Sequence, residues 1–250
     1  MGTILRTDDP LAVAAVDAIH TGDTHALRSL LESNDGLASV RLGDPEHPDG
    51  TTRTLMHVVA DWPGHFPNGA GTVAVLAEFG ADVNARFTGP HTESPLHWAA
   101  SSDDVAVLDA LLDAGADIEA DGAVIAGGTP LMDAVAFAQW RAARRLVERG
   151  AAVTFWQAAA LGIDDVIDRA LGADPPPAAD EIQSAFWSAC HGGQLGVAQR
   201  LHAAGADVDW IPPWEHVSPL DAARRSEAFD VLTWLQGLRA RSAGAITGRD

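Results

Sequence analysis

Ten histidines stand among 35 acidic residues in this 250-residue chain, so imidazole–carboxylate chemistry is the first possibility to weigh. A metal centre would need histidines and acids at ligand spacing on one turn or loop. The chain has no HExxH pattern, and His57, His97 and His191 are dozens of residues apart. A nucleophile would have to be Cys190, the single cysteine, with His191 beside it. Neighbouring residues of a helix point about 100° apart, which does not aim a base at a thiol. Cys190 also falls where other segments of the chain carry Ala, so it reads as packing. All the basic residues are Arg and there is no Tyr, which removes Schiff-base and tyrosyl acid chemistry. The glycine-rich stretch at 122–128 lacks the Lys of a phosphate loop. No catalytic residue, metal ligand or cofactor is assigned on these grounds.

The formal net charge of −19 narrows the partners. Such a surface repels nucleic-acid phosphates and anionic lipid and favours a basic or neutral protein or peptide. Arg141, Arg144, Arg145 and Arg149 gather on one segment, but Glu148 sits among them and no aromatic interleaves them, so they read as a solvated face. No run of about 18 apolar residues offers a membrane span, and the first nine residues lack an apolar signal core. A lone cysteine excludes an intramolecular disulfide and fits a reducing compartment. The expectation is a cytoplasmic monomer that binds neither nucleic acid nor membrane.

The elements that must position any site repeat along the chain. Ser94-Pro95-Leu96-His97-Trp98-Ala99-Ala100 is followed by Leu108, Leu111-Leu112 and Gly115-Ala116-Asp117-Ile118. The pattern returns at Thr54-Leu55-Met56-His57 with Gly80-Ala81-Asp82-Val83-Asn84, at Thr129-Pro130-Leu131 with Gly150-Ala151, and at Ser218-Pro219-Leu220. Gly80, Gly115 and Gly150 are 35 residues apart, and Gly172 and Gly205 are 33 apart. Ser or Thr caps a helix and Pro suits its first position, so each Ser/Thr-Pro starts a helix sharply. Leu96, Ala99 and Ala100, then Leu108, Leu111 and Leu112, carry the spacing of two amphipathic helices, and Gly115 supplies the left-handed end.

This pattern resembles the ankyrin repeat family over roughly residues 10–240. The resemblance implies an all-α solenoid of about seven helix-turn-helix units with hairpin fingers, in one domain over 1–250. Its units are expected at 10–42, 43–85, 86–120, 121–153, 154–174, 175–209 and 210–241, with a frayed tail at 242–250. Residues 150–180 are expected to break the regularity, because Phe155-Trp156 follows Gly150 without a finger and Pro175-Pro176-Pro177 comes next. The family reading makes His57 and His97 structural, bonded across neighbouring turns. Trp156 and Trp187 are expected at the same position, and Trp98 is expected to face the second helix of its unit.

In the family, first-helix edges and fingers form a concave binding surface. Carried over residue by residue, that surface falls here on His20, Asp61, Trp62, Ser101, Phe137, His191 and Arg225 for the helix edges. The fingers contribute Arg86, Phe87, His91, Glu93, Asp121, Trp210, Trp214, Glu215 and His216. Aromatics supply contact area there and charges set specificity. Trp62, on a loop longer than its counterparts, and Trp210 with Trp214 are the strongest candidates. The leading expectation is a macromolecular binding module acting on a protein or peptide. The alternative is a small-molecule binder or enzyme using His91, Glu93, Asp61, His191 and His216 in the same groove.

Overall fold

In a computed structural model the chain is described at residues 3–44, 46 and 50–248. Met1, Gly2, the start of the second expected unit at 45 and 47–49, and the last two positions of the expected tail lie outside the described residues. The chain divides into two compact units, Met1–Ala151 and Ala152–Asp250.

The first unit opens with strand β1 (Ile4–Leu5) and helices α1 (Pro10–Thr21) and α2 (Thr24–Ser33). Strands β2 (Arg41–Leu42) and β3 (Arg53–Thr54) follow, then α3 (Leu55–Ala60), α4 (Gly69–Glu78), α5 (Pro95–Ser101), α6 (Val105–Asp113), α7 (Pro130–Ala136) and α8 (Trp140–Glu148). The helix starts follow from the sequence. Ser94 and Thr129 are extended N-caps with proline immediately inside the helix. Consecutive helices pack as pairs. First helices also pack on one another, α1 on α3, α3 on α5 and α5 on α7, while α2 packs on α4, α4 on α6 and α6 on α8. Ala99 and Ala100 are fully buried, and their small side chains let the α5 backbone lie close to its neighbours. Leu96, Leu108 and Leu111 are buried beneath them. Between the second helices, Arg145 of α8 and Arg149, the residue that caps its C-terminus, bind Asp109 of α6, and Arg149 also binds Asp113. Arg145 and Arg149 thus form an ion-pair network with α6, while Arg141 stays largely in solvent.

A short sheet accompanies the helices in this unit. The chain is mostly helical, but β1 pairs parallel with β2, and β2 antiparallel with β3, with Arg41 opposite both Ile4 and Thr54. The sheet exists because the chain between α2 and α3 must satisfy its backbone groups away from a helix. Arg41 fastens it by donating to the Thr52 hydroxyl at 2.6 Å and to the Arg86 carbonyl at 2.6 Å.

The second unit holds α9 (Phe155–Leu161), α10 (Asp164–Leu171), α11 (Ala179–His191), α12 (Leu195–Ala203), α13 (Pro219–Arg225), α14 (Phe229–Gly237) and α15 (Ala243–Thr247). Here α9 packs on α11, α11 on α13, and α12 on α14, around Phe186, Ile167, Val231 and Leu235. Ser218 and Asp221 form a reciprocal capping box at the start of α13. Cys190 is fully buried in this core, and burial pushes its thiol pKa up, so it is inert packing.

The tail expected to fray at 242–250 is helical over α15. Ser242 caps it through the Ala245 N–H, Asp221 accepts the Ala243 N–H at 2.6 Å, and Arg241 is tied to Asp209. With its first N–H groups satisfied by side chains, this segment has no reason to stay open. Among the described residues no helix is long and apolar enough to cross a membrane, and no group of three or more His, Cys, Asp or Glu could hold a metal ion.

Candidate functional site

Two helix starts fix the floor of the site. Thr54 caps α3 and His57 sits in its first turn, where Nδ1 accepts from the Thr54 N–H at 3.3 Å. The other ring nitrogen therefore carries the proton, and Nε2 donates to the Glu93 carbonyl at 3.1 Å. His97 repeats the arrangement with Ser94 at 3.1 Å and the Gly128 carbonyl at 3.2 Å. Each imidazole ties a helix start to the next finger. Burial holds both neutral, pushing the pKa of His57 down to about 4 and that of His97 down as well.

The Glu93 backbone, held by His57, aims its side chain inward, where it is only 5% exposed. Its carboxylate accepts the Trp98 indole N–H at 2.9 Å and the Val124 N–H at 3.3 Å, and His91 Nδ1 lies 2.8 Å from it. Asp133, wholly buried in α7, faces the same carboxyl group and the Ile125 backbone, but neither of its oxygens has a well-formed hydrogen bond among the described residues. Burial, and then the neighbouring Glu93, raise the Asp133 pKa well above the usual carboxylate range.

Above this floor lies an open hollow of about 300 Å³ lined by Ala60, Asp61, Trp62, His91, Glu93, Trp98, Ser101, Ser102, Val124 and Phe137. Trp98 is braced from behind, edge-on to His57 at 4.9 Å and tilted against Phe87 at 5.6 Å. Trp62 stands at the rim, 82% exposed. Its loop is pinned at both ends. The His65 N–H donates to Asp104 at 2.8 Å, His65 Nε2 bonds the Ser102 carbonyl at 2.9 Å, and Phe66 stacks on His20 at 4.3 Å. Asp61 pairs with Arg53, and the Ser101 hydroxyl is buried without a partner.

Six of the residues expected from the sequence thus meet in one hollow: Asp61, Trp62, His91, Glu93, Ser101 and Phe137. Others in this unit do not join it. His20 packs on Phe66, Phe87 stacks behind on His91 at 4.9 Å, and Arg86 is spent on exposed Asp121. Glu93, expected as an exposed finger charge, is buried because the His57 bond draws its backbone in. The sequence reading missed Trp98, Val124 and Asp133. Trp98 faces the hollow rather than the second helix, because its indole N–H finds Glu93. Asp133 carried a readable signal, an acid on the apolar face of a helix where a partner is obligatory.

The second unit gathers a different cluster. Trp187 Nε1 donates to the Val217 carbonyl at 2.8 Å, the same first-helix-to-finger bond that the histidines make. Trp214, 58% exposed, is edge-on to Trp187 at 6.2 Å and to Trp210 at 5.6 Å. The Arg225 guanidinium lies over Trp187 at 5.7 Å and pairs with Glu215. His191, expected at an exposed edge, is only 3% exposed: it stacks on Trp187 at 5.3 Å and bonds Ser226 at 3.0 Å. His216 is exposed. Trp156 does not take the histidine position; Gln157 does, accepting both the Thr154 N–H and hydroxyl at 2.8 Å.

A family model for the ankyrin repeat matches residues 91–120, the stretch from His91 through α5 and α6 to Ala120. That stretch is thus similar to an ankyrin repeat, and the paired-helix packing around it accords with the match. Ankyrin repeats are generally protein–protein interaction modules. No curated protein was found to match the chain.

Proposed function

We propose that the chain binds a protein or peptide through the hollow between Trp62 and Phe137, and that the helix pairs of its two units are ankyrin-type repeats, about seven in all. The observation that carries this reading is the meeting of six expected groove residues in one hollow with aromatic walls and an acidic floor. Exposed Trp62 and Phe137 offer the kind of contact area that dominates interfaces. The net charge of −19 favours a basic or neutral partner, and we place the protein as a monomer in the cytoplasm, where its buried single thiol stays reduced.

Affinity capture from host lysate, read by mass spectrometry, tests this. Trp62→Ala and Phe137→Ala should each reduce capture of the wild-type partner by more than about tenfold. Equal capture by both variants removes the hollow from consideration.

One observation favours the alternative of a small-molecule enzyme: Asp133, buried beside Glu93, has its pKa raised by burial and by that neighbour, as catalytic acids often have. The hollow is open rather than enclosed, which weighs toward recognition.

A further inference from the structure

The second unit contains a worked example of what a tryptophan–carboxylate constellation takes up. Arg225 lays its planar guanidinium over Trp187 while its charge is met by Glu215. Guanidinium suits this arrangement because it is flat, weakly hydrated and stacks on an indole face while hydrogen-bonding in plane. The first unit carries the same residue types around the hollow: Trp62, Trp98 and Phe137 as walls, with Glu93 backed by Asp133 as floor. Of its own arginines, Arg53 is held at the edge of the hollow by Asp61, whereas Arg86 is paired with Asp121 and Arg41 with backbone carbonyls. The cation–π pairs among the described residues involve Phe79 and Trp187, not these walls.

We propose that the hollow of the first unit is a receptor for one arginine side chain of a basic partner segment, stacked between Trp62 and Trp98 and neutralised by Glu93. This deepens the peptide-binding reading above and rests on it. The charge fits, since Glu93 lines the hollow in a chain of net −19. The size fits as well, because about 300 Å³ holds one long side chain rather than a folded element. Glu93 already accepts two hydrogen bonds that fix its position, so binding needs no rearrangement of the floor.

The test is fluorescence anisotropy with a short labelled alanine–leucine peptide carrying one central arginine, against the same peptide with citrulline, which keeps the shape and loses the charge. Wild type should prefer arginine by at least about tenfold. The preference should vanish in Trp62→Ala and in Glu93→Gln, and persist in Phe229→Ala, an exposed aromatic of α14. If Glu93→Gln loses its circular dichroism signature, Trp62→Ala, altered at an exposed loop, decides alone. Equal affinity for both peptides, no arginine binding up to about 5 mM, or a preference that survives Trp62→Ala each overturns the proposal. Should capture from lysate still depend on Trp62 while citrulline binds equally, the arginine receptor fails and the peptide-binding reading stands.

Discussion

The two units use the same residue types, tryptophan, arginine, carboxylate and histidine, for different ends. In the second unit the groups satisfy one another: Trp187 bonds a finger carbonyl, Arg225 covers it, Glu215 pairs with Arg225, and His191 stacks beneath. In the first unit the carboxylate and imidazoles are satisfied from below, while Trp62 is carried out on a pinned loop with most of its surface in water. A folding cluster closes on itself, whereas a binding site holds its geometry by bonds that leave the contact surface unused. The contrast predicts where mutation will cost stability and where it will cost recognition.

The largest expected effect is in the closed cluster. Trp187→Ala removes a buried indole and leaves the Val217 carbonyl and Arg225 without their partner, so thermal or urea unfolding should show a loss of about 3–5 kcal/mol. Trp62→Ala should change stability by no more than about 0.5 kcal/mol. If the two variants prove equally destabilised, the division between folding cluster and binding site collapses.

Next comes pH, where the units have solved one problem in two ways. His57 and Gln157 both occupy the third position of a helix capped by threonine, and both accept the cap N–H. Only the histidine titrates. Its pKa is depressed from 6.5 to about 4, so its stabilising effect is fully present above pH 6.5 and is lost as pH falls through about 4. Over that window the loss is on the order of 3 kcal/mol. Asp133 has the opposite sign. Its pKa is raised, so its contribution is full below the ordinary carboxylate value and is lost as pH rises through the elevated one. His57→Gln, copying the second unit's own solution, should flatten the acid limb of the stability–pH profile. Asp133→Asn should flatten the alkaline limb. Denaturant midpoints measured across pH 4–9 check both, and an unchanged acid limb in His57→Gln would show that other groups govern it.

These contrasts mark how far the sequence could be read. The starts of α5, α7 and α13 were legible because Ser/Thr-Pro is a local signal with a local cause, whereas the structural role of His57 and His97 came from the ankyrin resemblance. Strands of two residues carry no period to read, so β1 to β3 were not foreseen. The helix at Ala243–Thr247 depends on Asp221, more than twenty residues earlier, which no local pattern announces. At the candidate site, six of the named residues line one hollow, and the polarity of its floor was hidden. Glu93 is turned inward by a bond to its backbone rather than by its own chemistry, and Trp98 is turned by Glu93. His191 is buried because α11 runs to 13 residues and carries it inside under Trp187. In each of these cases orientation was set by a long-range partner, which residue type alone does not encode.

The smallest expected effect isolates the comparison most cleanly. Arg225→Gln leaves a shorter polar side chain and removes the charge over Trp187 and opposite Glu215. Both partners of that ion pair are substantially exposed, 43% and 36%, so solvent screens it and it is worth at most about 1 kcal/mol. The cation–π contact at an exposed site adds about 0.5–1 kcal/mol. The loss in denaturant unfolding should therefore be about 1 kcal/mol and should shrink in high salt. Removing Arg225 also uncovers Trp187 and frees Glu215, which recreates in the second unit the open pairing of indole and carboxylate found in the first. If such a pairing is by itself enough to take up guanidinium, Arg225→Gln should bind the single-arginine peptide at a second site in titration calorimetry. If the stoichiometry stays unchanged, recognition needs the pinned loop and the buried Glu93–Asp133 floor as well, and the first unit's geometry rather than its composition is what makes it a site.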